Sequence, residues 1–366
     1  ISIEFNQIFL DFNHRFVFVS FQKTVSLFKM KACYHIFILI LSFVDAYSQI
    51  QIDRVEVDNF QSSMRGLYFV NDTVAWASGS GGVYMKTTNN KDWLADTIPG
   101  GSYLDFRDVH AFDDEKAIVM SSGDGCLIYR TVDGGENWSK VYENLEKEFF
   151  FDGMDFWDEK SGIAYSDPVN GKLYIIRTTD GGKSWKSIKS LPNTLKNEAG
   201  FAASGTGIVC KGDSTIWIAT GGGEKARVFK STNRGYSWQV FNTPMRAGKE
   251  SGIYSMAFFD EWNGIIVGGN YLDSLNTKGS CAVTSDGGET WKLISTNGPR
   301  GYRSCVAASD QFAISVGRTG IDITSDNGYY WMPLSNEGYY SCVLKGGKGW
   351  LTGRNGKLAK VTIKQN

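Results

Sequence analysis

Three observations predict an all-β chain folded as a seven-bladed β-propeller. An octapeptide ending in Trp recurs five times. Seven pairs of alternating, turn-linked strands run through the chain. Aromatic residues make up 14%, and 42 glycines stand against 6 prolines, a mixture that suits many short strands joined by glycine turns. The 366 residues accommodate one large all-β domain. A formal net charge of −1 gives no strongly basic face, so a nucleic-acid partner is not expected.

Taken in order, residues 1–29 are rich in Phe without a regular period and read as sequence upstream of the true start, Met30. Residues 30–48, MKACYHIFILILSFVDAYS, carry the three parts of an export signal. Lys31 is the positive end, 36–44 is the apolar run, and Ala46 and Ser48 are the small residues of a cleavage site before Gln49. The apolar run is too short to span a bilayer. Cleavage between Ser48 and Gln49 leaves 49–366 as a single exported propeller, periplasmic or extracellular, expected to be a monomer. It keeps Cys126, Cys210, Cys281, Cys305 and Cys342. An odd number at irregular spacing is no disulfide framework. Cys305 and Cys342, in matching YRSCV and YYSCV contexts, read as buried small apolar residues.

The octapeptide reads TVDGGENW (131–138), TTDGGKSW (178–185), STNRGYSW (231–238), TSDGGETW (284–291) and TSDNGYYW (324–331). Its third residue falls at 133, 180, 233, 286 and 326, so successive copies lie 47, 53, 53 and 40 residues apart. Each interval fits one four-stranded blade. One unit reads strand RDVHAF (107–112), turn, strand KAIVMS (116–121), turn, strand CLIYRTV (126–132), octapeptide turn, strand WSKVY (138–142). Middle strand pairs recur at 74–88, 162–178, 216–232, 263–285, 312–325 and 349–363, seven in all. The last unit lacks an outer strand. IDRVEV (52–57) supplies it, joining the two ends in one sheet and removing an open edge.

The octapeptide therefore occupies the turn between the third and fourth strands. Asp133, Asp180, Asn233, Asp286 and Asp326 can accept hydrogen bonds from turn amides, the glycines permit positive φ, and Trp138, Trp185, Trp238, Trp291 and Trp331 can pack between sheets. The motif resembles the Asp-box, or bacterial neuraminidase repeat, whose turn is structural and lies away from the binding face.

The opposite face holds the candidate site. Six units open there with MRGLYF, FRDVHAF, FDGMDF, IYSMAF, YRSCVA and YYSCV. The second positions are Arg65, Arg107, Asp152, Tyr254, Arg303 and Tyr340, and Glu198 precedes the unclear opening of the fourth. Turns between second and third strands add Arg318 and Arg354. Because the circle closes, Arg65, Arg107, Arg303, Arg318 and Arg354 are expected to form a basic arc for a carboxylate or phosphate, with Asp152, Asp167 and Glu198 opposite. No nucleotide motif, zinc spacing or His-based nucleophile is present, so neither metal nor cofactor is expected.

Residues 50–363 resemble the photosystem II stability/assembly factor family, through the seven units, the TTDGGKSW-type turns and the MRGLYF and FRDVHAF openings. The stretches 152–185 and 268–291 look most like its non-photosynthetic bacterial branch. The resemblance implies a non-catalytic exported propeller whose arginine-rich surface binds another envelope or membrane protein. The oxidoreductase label some relatives carry has no counterpart in this sequence. Two rival readings remain. Sialidases share Asp-boxes and use three arginines, a Tyr/Glu pair and an Asp, for which Asp152, Glu198, Tyr254 and Tyr340 are candidates; their six blades and early Arg-Ile-Pro differ from Arg65-Gly66-Leu67 here. A lectin-like propeller would hold an anionic glycan with aromatic residues such as Tyr271 and Tyr302.

Overall fold

Period-two alternation produces seven antiparallel four-stranded sheets arranged as blades. The computed structural model describes residues 5–10, 16–21, 50–57, 61–123 and 125–364. Residues 22–49, and with them the expected export signal and cleavage point, lie outside the described residues. Phe5–Leu10 and Phe16–Phe21 form a separate antiparallel pair within the stretch that showed no period.

The second blade shows the grammar. Asp105–Ala111, Ala117–Ser122, Cys126–Thr131 and Ser139–Asn144 lie side by side in chain order. The inner three strands are buried on nearly every position, whereas the outer strand is half exposed. The fourth blade opens at Ile208–Lys211, after a connection of about 20 residues from Lys186–Ser187. In the seventh blade the order is Ser341–Lys345, Lys348–Thr352, Leu358–Ile363, then Ile50–Val55 from the other end of the chain.

Blades are stitched by tryptophans of the second strands, which bury their rings and donate to the next blade. Trp76 Nε1 donates to the Asp113 carbonyl (2.9 Å), Trp217 to Gly287 (2.8 Å) and Trp350 to Asn90 Oδ1 (3.0 Å). The last of these crosses from the seventh blade to the first. A buried indole combines large apolar area with one satisfied donor, which fixes the neighbour's position as well as stabilising it.

The octapeptide turns lie on one face. Asp180 Oδ1 accepts from Thr178 Oγ1 (2.8 Å) and from the Ser184 amide (3.0 Å), and its Oδ2 accepts from Ser184 Oγ (2.7 Å). Asp133, Asn233, Asp286 and Asp326 repeat the amide contact with Asn137, Ser237, Thr290 and Tyr330. The Asn137 amide and side chain hold the Asp133 carboxyl below its usual range. The turn also packs onto the preceding blade. A Cβ on Gly182, at φ +75°, would sit 2.2 Å from Ile118 Cδ1. Trp291 and Trp331 donate to the carbonyls of Gly288 and Gly328, closing the turn from below.

Candidate binding site at the channel mouth

The site begins with β-bulges. In the first strands of blades one, two, three and five the register shifts at Met64/Gly66, Phe106/Asp108, Phe151/Gly153 and Ile253/Ser255. The extra residues are Arg65, Arg107, Asp152 and Tyr254, the column of second positions seen in the sequence. A bulge leaves its extra residue outside the ladder and re-aims the side chain. Three of the four turn toward the mouth. There Arg65, Arg107 and Arg318 share a pocket of 350 Å³ with Tyr254, Tyr271, Tyr302 and Tyr340. Phe150, Phe201 and Glu250 complete the walls.

The rings are locked together. Phe201 stacks on Tyr254 at 4.0 Å, and Tyr302 meets Tyr254 edge-on at 4.8 Å. Tyr254 donates its hydroxyl to the Glu250 carbonyl (3.1 Å). The guanidinium of Arg65 lies over the Tyr340 ring (4.5 Å) and that of Arg107 over Phe150 (5.6 Å). Such stacking orients a planar cation without neutralising it.

The cations differ in how far they are compensated. Arg107 pairs with Asp105 (2.8 Å) and touches the Ala202 carbonyl (3.3 Å). Arg65 reaches only the Ala203 carbonyl (3.2 Å) and forms no ion pair among the described residues. Burial, and then the like charge of Arg107, lower its pKa. Arginine does not deprotonate in proteins, so the shift marks a desolvated cation short of an anion. Arg318 is exposed and rests beside Tyr271.

Several expected members are elsewhere. Arg303 is fully buried: Nε reaches Asp322 Oδ2 at 2.8 Å, Nη2 also binds that carboxylate, and Nη1 donates to Tyr302 O and Thr319 Oγ1 (both 2.9 Å). It belongs to the sixth blade's interior, not to the arc. Arg354 is exposed in a short 3-10 turn and lines a separate 230 Å³ cleft beside Arg54–Val57. Asp152, the fourth bulge residue, is fully buried under Gly200. Glu198 is buried, paired with Arg227 (2.9 Å) and hydrogen-bonded by Thr220 Oγ1 (2.6 Å) and the Leu195 amide (2.7 Å). Its oxygens are saturated, and neither Tyr254 nor Tyr340 forms a hydrogen bond with it. The Tyr/Glu/Asp set that a sialidase needs is therefore not assembled from these four residues.

Phe150, Phe201, Glu250 and the Gly200–Ala203 segment were not singled out by sequence. For Gly200–Ala203 the signal was the length of the connection before the fourth blade, which lies along the mouth; Phe150 and Glu250 left none. A larger groove of 840 Å³ adjoins the pocket, lined by 195–197, 199, 222–224 and 248–249. Its walls are mostly main chain and exposed side chains. Among the described residues no group of three His, Cys, Asp or Glu could hold a metal. No described helix is long and apolar enough to cross a membrane.

No protein-family model matches the chain. Among solved structures, YCF48 bound to D1 peptide superposes with a TM-score of 0.61 at 14% identity, covering 87% of this chain and 96% of the other. The likeness is one of fold. YCF48 from Cyanidioschyzon merolae gives 0.57 at 15% identity over 85% and 98% of the two chains. An inactive virginiamycin B lyase from Staphylococcus aureus with quinupristin gives 0.60 at 13% over 86% and 100%. The same seven-bladed fold thus carries a peptide-bound protein and a lyase, and fold by itself does not choose between them. Xyloglucanase Xgh74A of Acetivibrio thermocellus is 22% identical over 284 residues, 69% of this chain and 33% of that protein. The chain thus spans about a third of the length of that curated relative.

Proposed function

We propose that this propeller is a non-catalytic binding protein of the cell envelope, whose mouth pocket holds an acidic segment of a protein partner. Arg65 carries the reading: a half-buried guanidinium beside a second guanidinium, stacked on Tyr340, with no ion-pair partner among the described residues. A carboxylate placed against Arg65 and Arg107 would receive forked, charge-assisted hydrogen bonds. The tyrosine and phenylalanine walls would cover the apolar neighbours of that carboxylate. The export signal expected at 30–48 is the basis for assigning this activity to the cell envelope. The likeness to YCF48 bound to D1 peptide is compatible with a peptide ligand on this fold, and the saturation of Glu198 argues against the sialidase arrangement.

The test uses a fluorescein-labelled hexapeptide of Phe, Asp and Glu against its Asn/Gln counterpart, with a fluorogenic sialoside assayed in parallel. Saturable binding of the acidic peptide alone is expected, with no turnover. Turnover of the sialoside, or equal binding of both peptides, would contradict the reading.

A further inference from the structure

Directly under the pocket floor lie two carboxyl groups that anion binding leaves unused. Asp152 is the bulge residue of the third blade, equivalent to Arg65 and Arg107, yet it is fully buried. The connection at Gly200 covers it so closely that a Cβ there would sit 2.2 Å from Asp152 Oδ2. Neither carboxylate oxygen of Asp152 has a partner at hydrogen-bonding geometry among the described residues. Asp167, on Gly162–Val169 of the same blade, accepts the Gly200 amide at 2.8 Å. Gly200, Arg107 and Phe150 are themselves pocket walls, so the acid pair is separated from a bound ligand by one layer of main chain.

We propose that Asp152 and Asp167 form a proton-operated regulator of the mouth pocket. With both carboxyls protonated, the arginines above present their full charge to an acidic ligand. When the first proton leaves, from Asp167, a negative charge of the ligand's own sign appears beneath Gly200 and Arg107, and affinity falls. The inference rests on the reading that the pocket binds an anion.

The electrostatics agree with the geometry. Burial, then the charge of Asp167, push Asp152 well above the usual carboxylate range, against the pull of Arg107. Burial pushes Asp167 up to about 6, against the Gly200 amide and Asp152. Two facing carboxyls titrate as a pair. Among the described residues, Cys126 of the second blade and Tyr165 of the third also lie in their field, both kept neutral by burial. Asp108 also acts on Tyr165, and burial keeps its pKa well above the usual range. One added charge within about 10 Å of the ligand, at an effective dielectric of about 20, corresponds to about a tenfold change in affinity.

The experiment measures binding of the acidic hexapeptide at pH 5.0 and 7.5 to the wild-type chain, Asp167→Asn and Asp152→Asn, with carboxyl ¹³C titration of the wild type. The wild type should bind about tenfold more weakly at pH 7.5, while folded Asp167→Asn should keep its pH 5.0 affinity at both. Comparison with the variant removes the peptide's own titration. An Asp167 resonance titrating near 4, or the same affinity loss in both Asn variants as in the wild type, would overturn the proposal. Absence of peptide binding at either pH would sink the pocket reading and its regulation together. An ordinary Asp167 titration with intact binding would sink the regulation alone.

Discussion

The two faces of this propeller are built from the same repeat and treat their polar groups in opposite ways. On the octapeptide face, five turns place an Asp or Asn in the same position, and each closes on the amide four residues later. On the mouth face, equivalent positions hold Arg65, Arg107, Asp152 and Tyr254, and the resulting cations are incompletely paired. Repetition with saturation indicates a joint. Variation with unsatisfied charge indicates a site. The contrast between Arg65 and Arg303 makes the same point within one residue type, since Asp322 fully occupies the second and nothing equivalent reaches the first.

The largest effect should come from breaking that contrast at its buried end. Arg303→Ala leaves the Asp322 carboxylate in the blade interior with only Arg300 to answer it. Unfolding stability should fall by about 3–5 kcal/mol, read from the denaturant midpoint. A loss below about 1 kcal/mol would mean that Arg303 is not structural. Next, Arg65→Ala and Arg107→Ala should each cost about 1.5–3 kcal/mol of peptide binding, with melting temperature nearly unchanged. Raising salt should weaken the wild-type complex in the same direction.

A smaller effect tests the other face. Asp180→Ala should lower stability by about 1–2 kcal/mol by leaving the Ser184 amide unpaired, with peptide affinity unchanged. The smallest concerns pH. Burial pushes the Asp167 carboxyl up to about 6, above the usual carboxylate range. Its folded pKa is raised, so its contribution is fully present below about pH 4 and is lost as pH rises through about 6. Asp167→Asn should therefore stabilise the chain relative to wild type at pH 8; the raised pKa caps the gain at about 3 kcal/mol, solvent screening of this half-buried group brings it to about 1 kcal/mol, and it should vanish by pH 4. A thermal melt series across that window reads it directly.

The blade architecture was legible because it is periodic. Alternation marks each strand, and the octapeptide marks one turn per unit. The column of second positions was legible too, although the bulges that turn those side chains out of the ladder leave no mark in one sequence. What could not be read was pairing across strands. Asp322, which claims Arg303, lies on Gly320–Thr324, and Arg227, which claims Glu198, lies on the third strand of the fourth blade. Nothing in spacing distinguishes these arginines from Arg65. The segment 200–203, which covers Asp152 and supplies pocket wall, is aperiodic connection, so its place followed only from the closed ring.

The most direct test sets the two faces against each other with one ligand. Fluorescence anisotropy of the labelled acidic hexapeptide at pH 5.0, on the wild type, Arg65→Ala and Asp180→Ala, is paired with a melting curve for each. The account predicts at least about tenfold weaker binding with an unchanged melt for Arg65→Ala, and unchanged binding with a lowered melt for Asp180→Ala. The reverse pattern, affinity lost at the octapeptide and retained at the mouth, would contradict it.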